Sequence, residues 1–155
     1  MHLGRTALVV AAMLIMTVWA AAVFAAPAVM GRRASMWSVR SAALTYVVGR
    51  FVCHQRLERS FVVAGAPMPV CGRCTGLYVA APFGAALVLA PWRGRWSAER
   101  RRRFLLWAGA PTAATFLLEI TGLWDPGNVW RAVAALPLGA AVAALAAGAI
   151  AGRLR

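Results

Sequence analysis

Residues 6–30 read TALVVAAMLIMTVWAAAVFAAPAVM, with no charged side chain between Arg5 and Arg32. A helix needs about 20 apolar residues to cross the hydrocarbon core of a bilayer, and this run exceeds that. A secretory signal is the competing reading, because Ala25-Ala26 ends an Ala-rich stretch. The apolar core of a signal is usually only about 7–15 residues, and Pro27 stands where cleavage after Ala26 would fall. The segment therefore reads as a retained first span.

Outward from it, three further apolar runs follow, at about residues 75–92, 104–124 and 129–151, with a short tail from Gly152 to Arg155. The whole chain fits that picture. Of 155 residues, 62% are hydrophobic and only 14% charged, and mean hydropathy is +0.70. A soluble domain has about 25% charged residues and leaves much of its surface wet, so this excess of apolar residues is too large for one buried core. The charge is lopsided: 17 Arg, no Lys and four acids, Glu58, Glu99, Glu119 and Asp125, for a net +13. On a soluble protein that balance would point to nucleic acid. Here long uncharged runs separate the arginines, so the bilayer is the expected partner and nucleic acid is not. Disorder and a disulfide-dense scaffold are excluded by the apolar content and the three cysteines.

Residues 31–74 form a long connection before the second span. Within it, residues 41–53 are apolar but too short to cross and contain Arg50. An interfacial or re-entrant helix is expected there, with Trp37 and Tyr46 at headgroup depth. Two prolines close together make Gly65–Pro69 read as a turn or loop. The connection at residues 93–103 holds six Arg and one Glu, and the termini add Arg5, Arg153 and Arg155. The positive-inside tendency then gives N-in, C-in. Arg100, Arg101, Arg102 and Arg103, flush against a span, read as a topology signal and as contacts to anionic lipid headgroups. Small residues recur at helical spacing, at Gly76, Ala80 and Gly84 and again at Gly139, Ala143 and Ala147; such spacing lets helix backbones approach closely in lipid.

The residues that a membrane makes expensive collect on the other side. Cys53-His54 ends the interfacial segment and Cys71-Gly-Arg-Cys74 stands just before the second span. Glu119 lies about 22 Å along the third span from Phe104. Asp125 and Asn128 lie in the turn to the fourth span, whose first turn carries Arg131. If the spans alternate, His54, the cysteines, Arg73, Glu119, Asp125 and Arg131 share one membrane face. An intramembrane carboxylate is either paired or functional, so Glu119, Arg73 and Arg131 are candidates for an ion pair that fixes packing or for a catalytic role. Asp125-Pro-Gly-Asn128 is first of all a turn.

Cys-x-x-Cys supports two chemistries. Two cysteines three apart can face one ion, and a distant Cys or His completes a tetrahedron. Cys53, His54, Cys71 and Cys74 are that set, and Zn²⁺ is the expected ion. Adjacency of Cys53 and His54 is its weak point, since both reach one ion only if the backbone kinks. Otherwise Glu119 or water would take the fourth position. Sulfurs more than about 8 Å apart could not share an ion with Zn–S bonds of about 2.3 Å. The other chemistry is thiol redox, with Arg73 and His54 lowering a thiolate pKa. A plain structural disulfide with Cys53 left over is the third reading. No Gly-rich phosphate loop, Gly-x-Ser-x-Gly or His-Glu-x-x-His is present.

Cys53-His54-Gln55, then Arg59-Ser60-Phe61, then Pro69-Val70-Cys71-Gly72-Arg73-Cys74-Thr75-Gly76-Leu77-Tyr78 resembles domain of unknown function 2085, a family of small bacterial membrane proteins. Glu119, Gly122-Leu123, Asn128 and Arg131 resemble its later part, with Leu77 and Glu119 replacing its more usual Ile and Asp. The resemblance spans about residues 50–140. It implies a multi-span protein and singles out Cys53, His54, Gln55, Arg59, Cys71, Arg73, Cys74, Glu119, Asn128 and Arg131 without assigning their work. The chain is also similar in plan to quinone-dependent thiol oxidases of the bacterial inner membrane, which carry a second cysteine pair in their other outer loop. Residues 124–128 contain none. The expectation is an all-α membrane protein with four spans and an interfacial helix. It would lie in the bacterial inner membrane, with a Cys/His zinc site on an extracytoplasmic face. A membrane thiol oxidoreductase linked to quinone, or an assembly subunit with a disulfide, are the alternatives.

Overall fold

The computed structural model describes residues 2–30, 35–90 and 97–152. Arg93, Arg95, Arg153 and Arg155, which enter the arginine count for sidedness, lie outside these residues, as does the expected end of the second span at Trp92. The chain is mostly helical, with five helices and one short antiparallel hairpin among the described residues. Helix α1 (His2–Met30) is the long apolar run. Helix α2 (Met36–Val52) begins at Ser35, whose hydroxyl accepts the Ser38 N–H at 3.3 Å. This N-cap satisfies one of the helix's orphan donors and starts the helix five residues earlier than the apolar pattern suggested. Ala42, Thr45 and Gly49 face inward, while Trp37, Leu44, Val47 and Phe51 are exposed.

After a 3₁₀ turn at Leu57–Arg59, strands β1 (Ser60–Val63) and β2 (Ala66–Cys71) pair antiparallel, so the fold is not purely helical. A turn or loop is expected over residues 65–69. Instead the turn is Ala64-Gly65, both at positive φ of 52° and 81°, the geometry that suits a two-residue hairpin. Pro67 and Pro69 lie within β2. Their carbonyls point away from β1, toward the Tyr46 hydroxyl and the Gln55 side-chain amide. In an antiparallel strand the N–H and C=O of one residue face the same side. The N–H that each proline lacks therefore has no ladder partner to lose.

Helices α3 (Gly72–Ala86, continued by a 3₁₀ turn at Leu87–Leu89), α4 (Ala98–Ile120) and α5 (Gly127–Ile150) follow. Among the described residues, three helices are long and apolar enough to cross a membrane: Gly4–Met30, Gly72–Leu89 and Gly127–Ile150. The expected third span, α4, is not among them. It starts at Ala98 under an N-cap from Ser97, which draws Arg100–Arg103 into the helix rather than leaving them in a loop. Glu119 closes the other end, leaving an uncharged stretch of about 15 residues, or ~22 Å.

α3 and α5 pack backbone to backbone. A side chain at Gly76 would strike Ala132, one at Gly84 would strike Ala140, and one at Gly139 would strike Leu77. At one end of the bundle Val9, Ala85, Val88, Ala143 and Ala147 form an apolar core. At that end Arg5 of α1 lies against Gly152, just beyond α5. At the opposite end a second core gathers Val23, Cys53, Met68 and Val70. The candidate site is built there.

Candidate thiol and guanidinium site

Three chain segments deliver the thiols. α2 ends at Cys53, whose extended backbone (φ −149°, ψ 143°) turns its side chain into the core. β2 ends at Cys71, and Cys74 sits in the first turn of α3. The three sulfurs lie within 4.8 Å of one another and none is in a disulfide. Ions with Zn–S bonds near 2.3 Å place tetrahedral sulfurs about 3.8 Å apart, so these three thiols could hold one metal ion. The Cys71 N–H points at Cys53 Sγ at 3.2 Å. Trp19, Phe61, Val63 and Tyr78 pack around the group, Trp19 meeting Tyr78 edge-on with centroids 5.8 Å apart. Hydrogen bonding from the Cys74 side chain lowers the Cys71 thiol from 9.0 to about 5, against the upward push of its own burial.

His54 is exposed and outside the group. Successive side chains of an extended chain point to opposite faces, so with Cys53 facing in, His54 faces out. Gln55, at φ 46°, does different work. Its Nε2 donates to Tyr46 O and Pro69 O, each at 2.8 Å, and so ties α2 to the hairpin. Tyr46, expected at headgroup depth, spends its hydroxyl on Pro67 O. Gly49 is required beside this latch, because a Cβ there would meet Pro69 O and Gln55 Nε2.

The second cluster surrounds Glu119, which α4 delivers just before its C-cap Thr121 and the left-handed Gly122 (φ 71°). Its Oε1 meets Arg59 Nη2 at 2.9 Å and Arg131 Nη2 at 3.0 Å. Its Oε2 meets Arg73 Nη2 at 2.6 Å and Arg131 Nε at 3.4 Å. The side chains of Glu119 and Arg131 are 9% and 5% exposed. Arg131 also donates to Asp125 Oδ1 at 2.8 Å and Asn128 Oδ1 at 3.0 Å. Asn128 Nδ2 in turn donates to Ser60 O at 2.9 Å. Arg73 lies over the Phe116 ring at 5.3 Å, and its Nε is buried with no acceptor among the described residues. Asp125 does form a turn, accepting the Gly127 N–H at 2.9 Å, and it also holds Arg131.

The two clusters are neighbours. Ser60, next to Arg59, is the cross-strand partner of Cys71, and Arg73 lies between Cys71 and Cys74. Gly72 abuts the Asn128 carbonyl, which a Cβ would approach to 2.7 Å. Thus the structure brings Cys53, Cys71 and Cys74 together, and separately Arg59, Arg73, Arg131 and Glu119. Sequence reasoning missed Phe116 and the Ser60–Asn128 link, for which spacing carries no signal.

The family model described as predicted membrane protein (DUF2085) matches residues 53–145. An uncharacterized protein of Methanocaldococcus jannaschii is 30% identical over 113 residues, covering 70% of each chain. An uncharacterized protein of Methanothermobacter thermautotrophicus is 33% identical over 97 residues, covering 62% of this chain and 85% of the relative. Both are archaeal, so the likeness is not confined to bacteria. No solved structure matches.

Proposed function

This chain belongs to the DUF2085 family of predicted membrane proteins, and from that premise we propose that it binds one thiophilic metal ion through Cys53, Cys71 and Cys74 at a membrane face. The mutual approach of the three sulfurs to within 4.8 Å carries this reading. Zn²⁺ is the first candidate, being a cation that Cys-rich sets take readily. The chain supplies three ligands, so the fourth position belongs to His54 after local rearrangement or to a water. A closed fourth position makes the site structural, and an open one leaves room for substrate or water.

The same reading has four spans. Glu119 meets Arg73 near the start of α3 and Arg131 near the start of α5, as antiparallel neighbours require. Exposed Leu106, Trp107, Leu117 and Ile120 on α4 suit a lipid-facing helix. The arginine-rich end, with Arg100–Arg103 near anionic headgroups, is then cytoplasmic, and the thiol end lies across the membrane. Val23 and Trp19 of α1 wall the thiols, which favours a retained first span.

A second reading is thiol redox. It is favoured by the lowered Cys71 thiol beside Cys74, the pairing a nucleophilic and a resolving cysteine need. Elemental analysis of purified protein, with thiols counted without reductant, separates the two. Near-stoichiometric metal that is lost in Cys71→Ser supports the metal site. Metal-free protein with a Cys71–Cys74 disulfide that turns over with quinone contradicts it and selects the redox reading.

A further inference from the structure

We infer that Arg59 and Arg73, with Arg131 adding its charge behind them, form a binding site for a phosphate group at the thiol end of the bundle, supplied by an anionic lipid headgroup or by a soluble phosphate. The inference concerns the guanidinium cluster and stands whether or not the thiols hold metal.

Charge is the first ground. Three guanidiniums converge on one buried carboxylate, Glu119. The other acid, Asp125, is 74% exposed, so solvent screens much of its charge. A cation held away from water without a matching anion is strongly unfavourable, and here two buried guanidiniums, Arg73 and Arg131, share one buried anion. Donor accounting is the second ground. Arg131 is nearly spent, using Nε, Nη1 and Nη2 on Glu119, Asn128 and Asp125. Arg73 keeps a buried Nε with no acceptor among the described residues. Arg59 makes one ion pair to Glu119 and is 34% exposed, which makes it the point of approach.

Position is the third ground. Arg73 lies in the first turn of α3, Arg131 just past the first turn of α5, and Glu119 one residue from the end of α4. All therefore sit at helix ends, where headgroups lie. The positive dipole ends of α3 and α5 add to the same field. Several guanidinium forks converging from different elements match the oxygens of a tetrahedral phosphate. Glu119 then serves as the brace that holds the forks together, its own oxygens already neutralised.

The test is native mass spectrometry of the full chain in detergent, with phosphatidylglycerol, phosphatidylcholine and inorganic phosphate offered separately. One retained phosphatidylglycerol, or a phosphate adduct, is expected. The arm that gives it identifies the source, and retention of phosphatidylcholine alone counts against an anion site. Arg59→Gln should weaken binding about tenfold or more, the scale of a lost hydrogen bond to a charged group, and Arg59→Lys should recover part of it. Neutralising Arg100 and Arg101 at the other end removes any lipid held there, so the retention assigned to this site is the part that persists in that variant. A readout on unaltered protein guards against a variant that fails to fold: phosphatidylglycerol or phosphate should raise its unfolding temperature. Binding that is equal in Arg59→Gln, absent from every arm, or lost only on neutralising Arg100 and Arg101 overturns the site.

Discussion

The two ends of the bundle use the same residue type for opposite purposes. At the thiol end Arg59, Arg73 and Arg131 are buried or half-buried and close on Glu119 from three different elements. At the other end Arg103 pairs with Glu99 at 2.7 Å along one exposed helix face, with side chains 72% and 56% exposed. The first arrangement is long-range and fixes tertiary structure. The second is local, screened by water and salt, and worth little to stability. Net charge alone conceals this division.

The contrast is broken most severely by removing one carboxylate from each end. Glu119→Gln leaves three guanidiniums without their shared anion and should cost about 3–5 kcal/mol, read by unfolding in detergent. Glu99→Gln should cost no more than about 0.5 kcal/mol. Similar losses for both would erase the distinction.

A smaller effect probes how the thiol end is assembled. Gln55→Ala would leave the Tyr46 and Pro69 carbonyls without their amide, at a cost of about 1–3 kcal/mol. It should also slow metal uptake by loosening the strand that ends at Cys71. Unchanged stability would mean the latch is ornamental.

Titration sharpens the comparison further. With metal removed, alkylation of Cys71 should be nearly flat from pH 6 to 8 and fall off only near 5, as its lowered thiol requires. Cys74→Ala deletes the hydrogen bond behind that shift and should move the midpoint up toward an ordinary thiol. The sign for stability follows. A thiol lower in the folded than in the unfolded chain stabilises fully above the unfolded value of 9.0, and that contribution fades as pH falls through about 5. Smallest of all, Arg100→Gln with Arg101→Gln should change stability by no more than about 0.5 kcal/mol.

Much of this was legible from residue order. The apolar runs at α1, α3 and α5 are long enough to declare themselves, and the antiparallel run of α4 against α3 and α5 puts Glu119 beside Arg73 and Arg131. The hairpin was not legible, because Pro67 and Pro69 read as breakers. Only the direction of their outer edge, toward Tyr46 and Gln55, makes them compatible with a strand. His54 lies outside the thiol group for a related reason: an extended backbone at Cys53 sends adjacent side chains to opposite sides. The status of α4 turned on the charges that bound it, since only about 15 uncharged residues separate Arg103 from Glu119.

X-ray absorption at the metal edge of zinc-loaded protein addresses the shared thiolate site most directly. The account predicts three sulfur scatterers at about 2.3 Å with one lighter ligand, and a fall in sulfur number in Cys53→Ser. A first shell of oxygen and nitrogen alone, or a spectrum indifferent to Cys53, would contradict it.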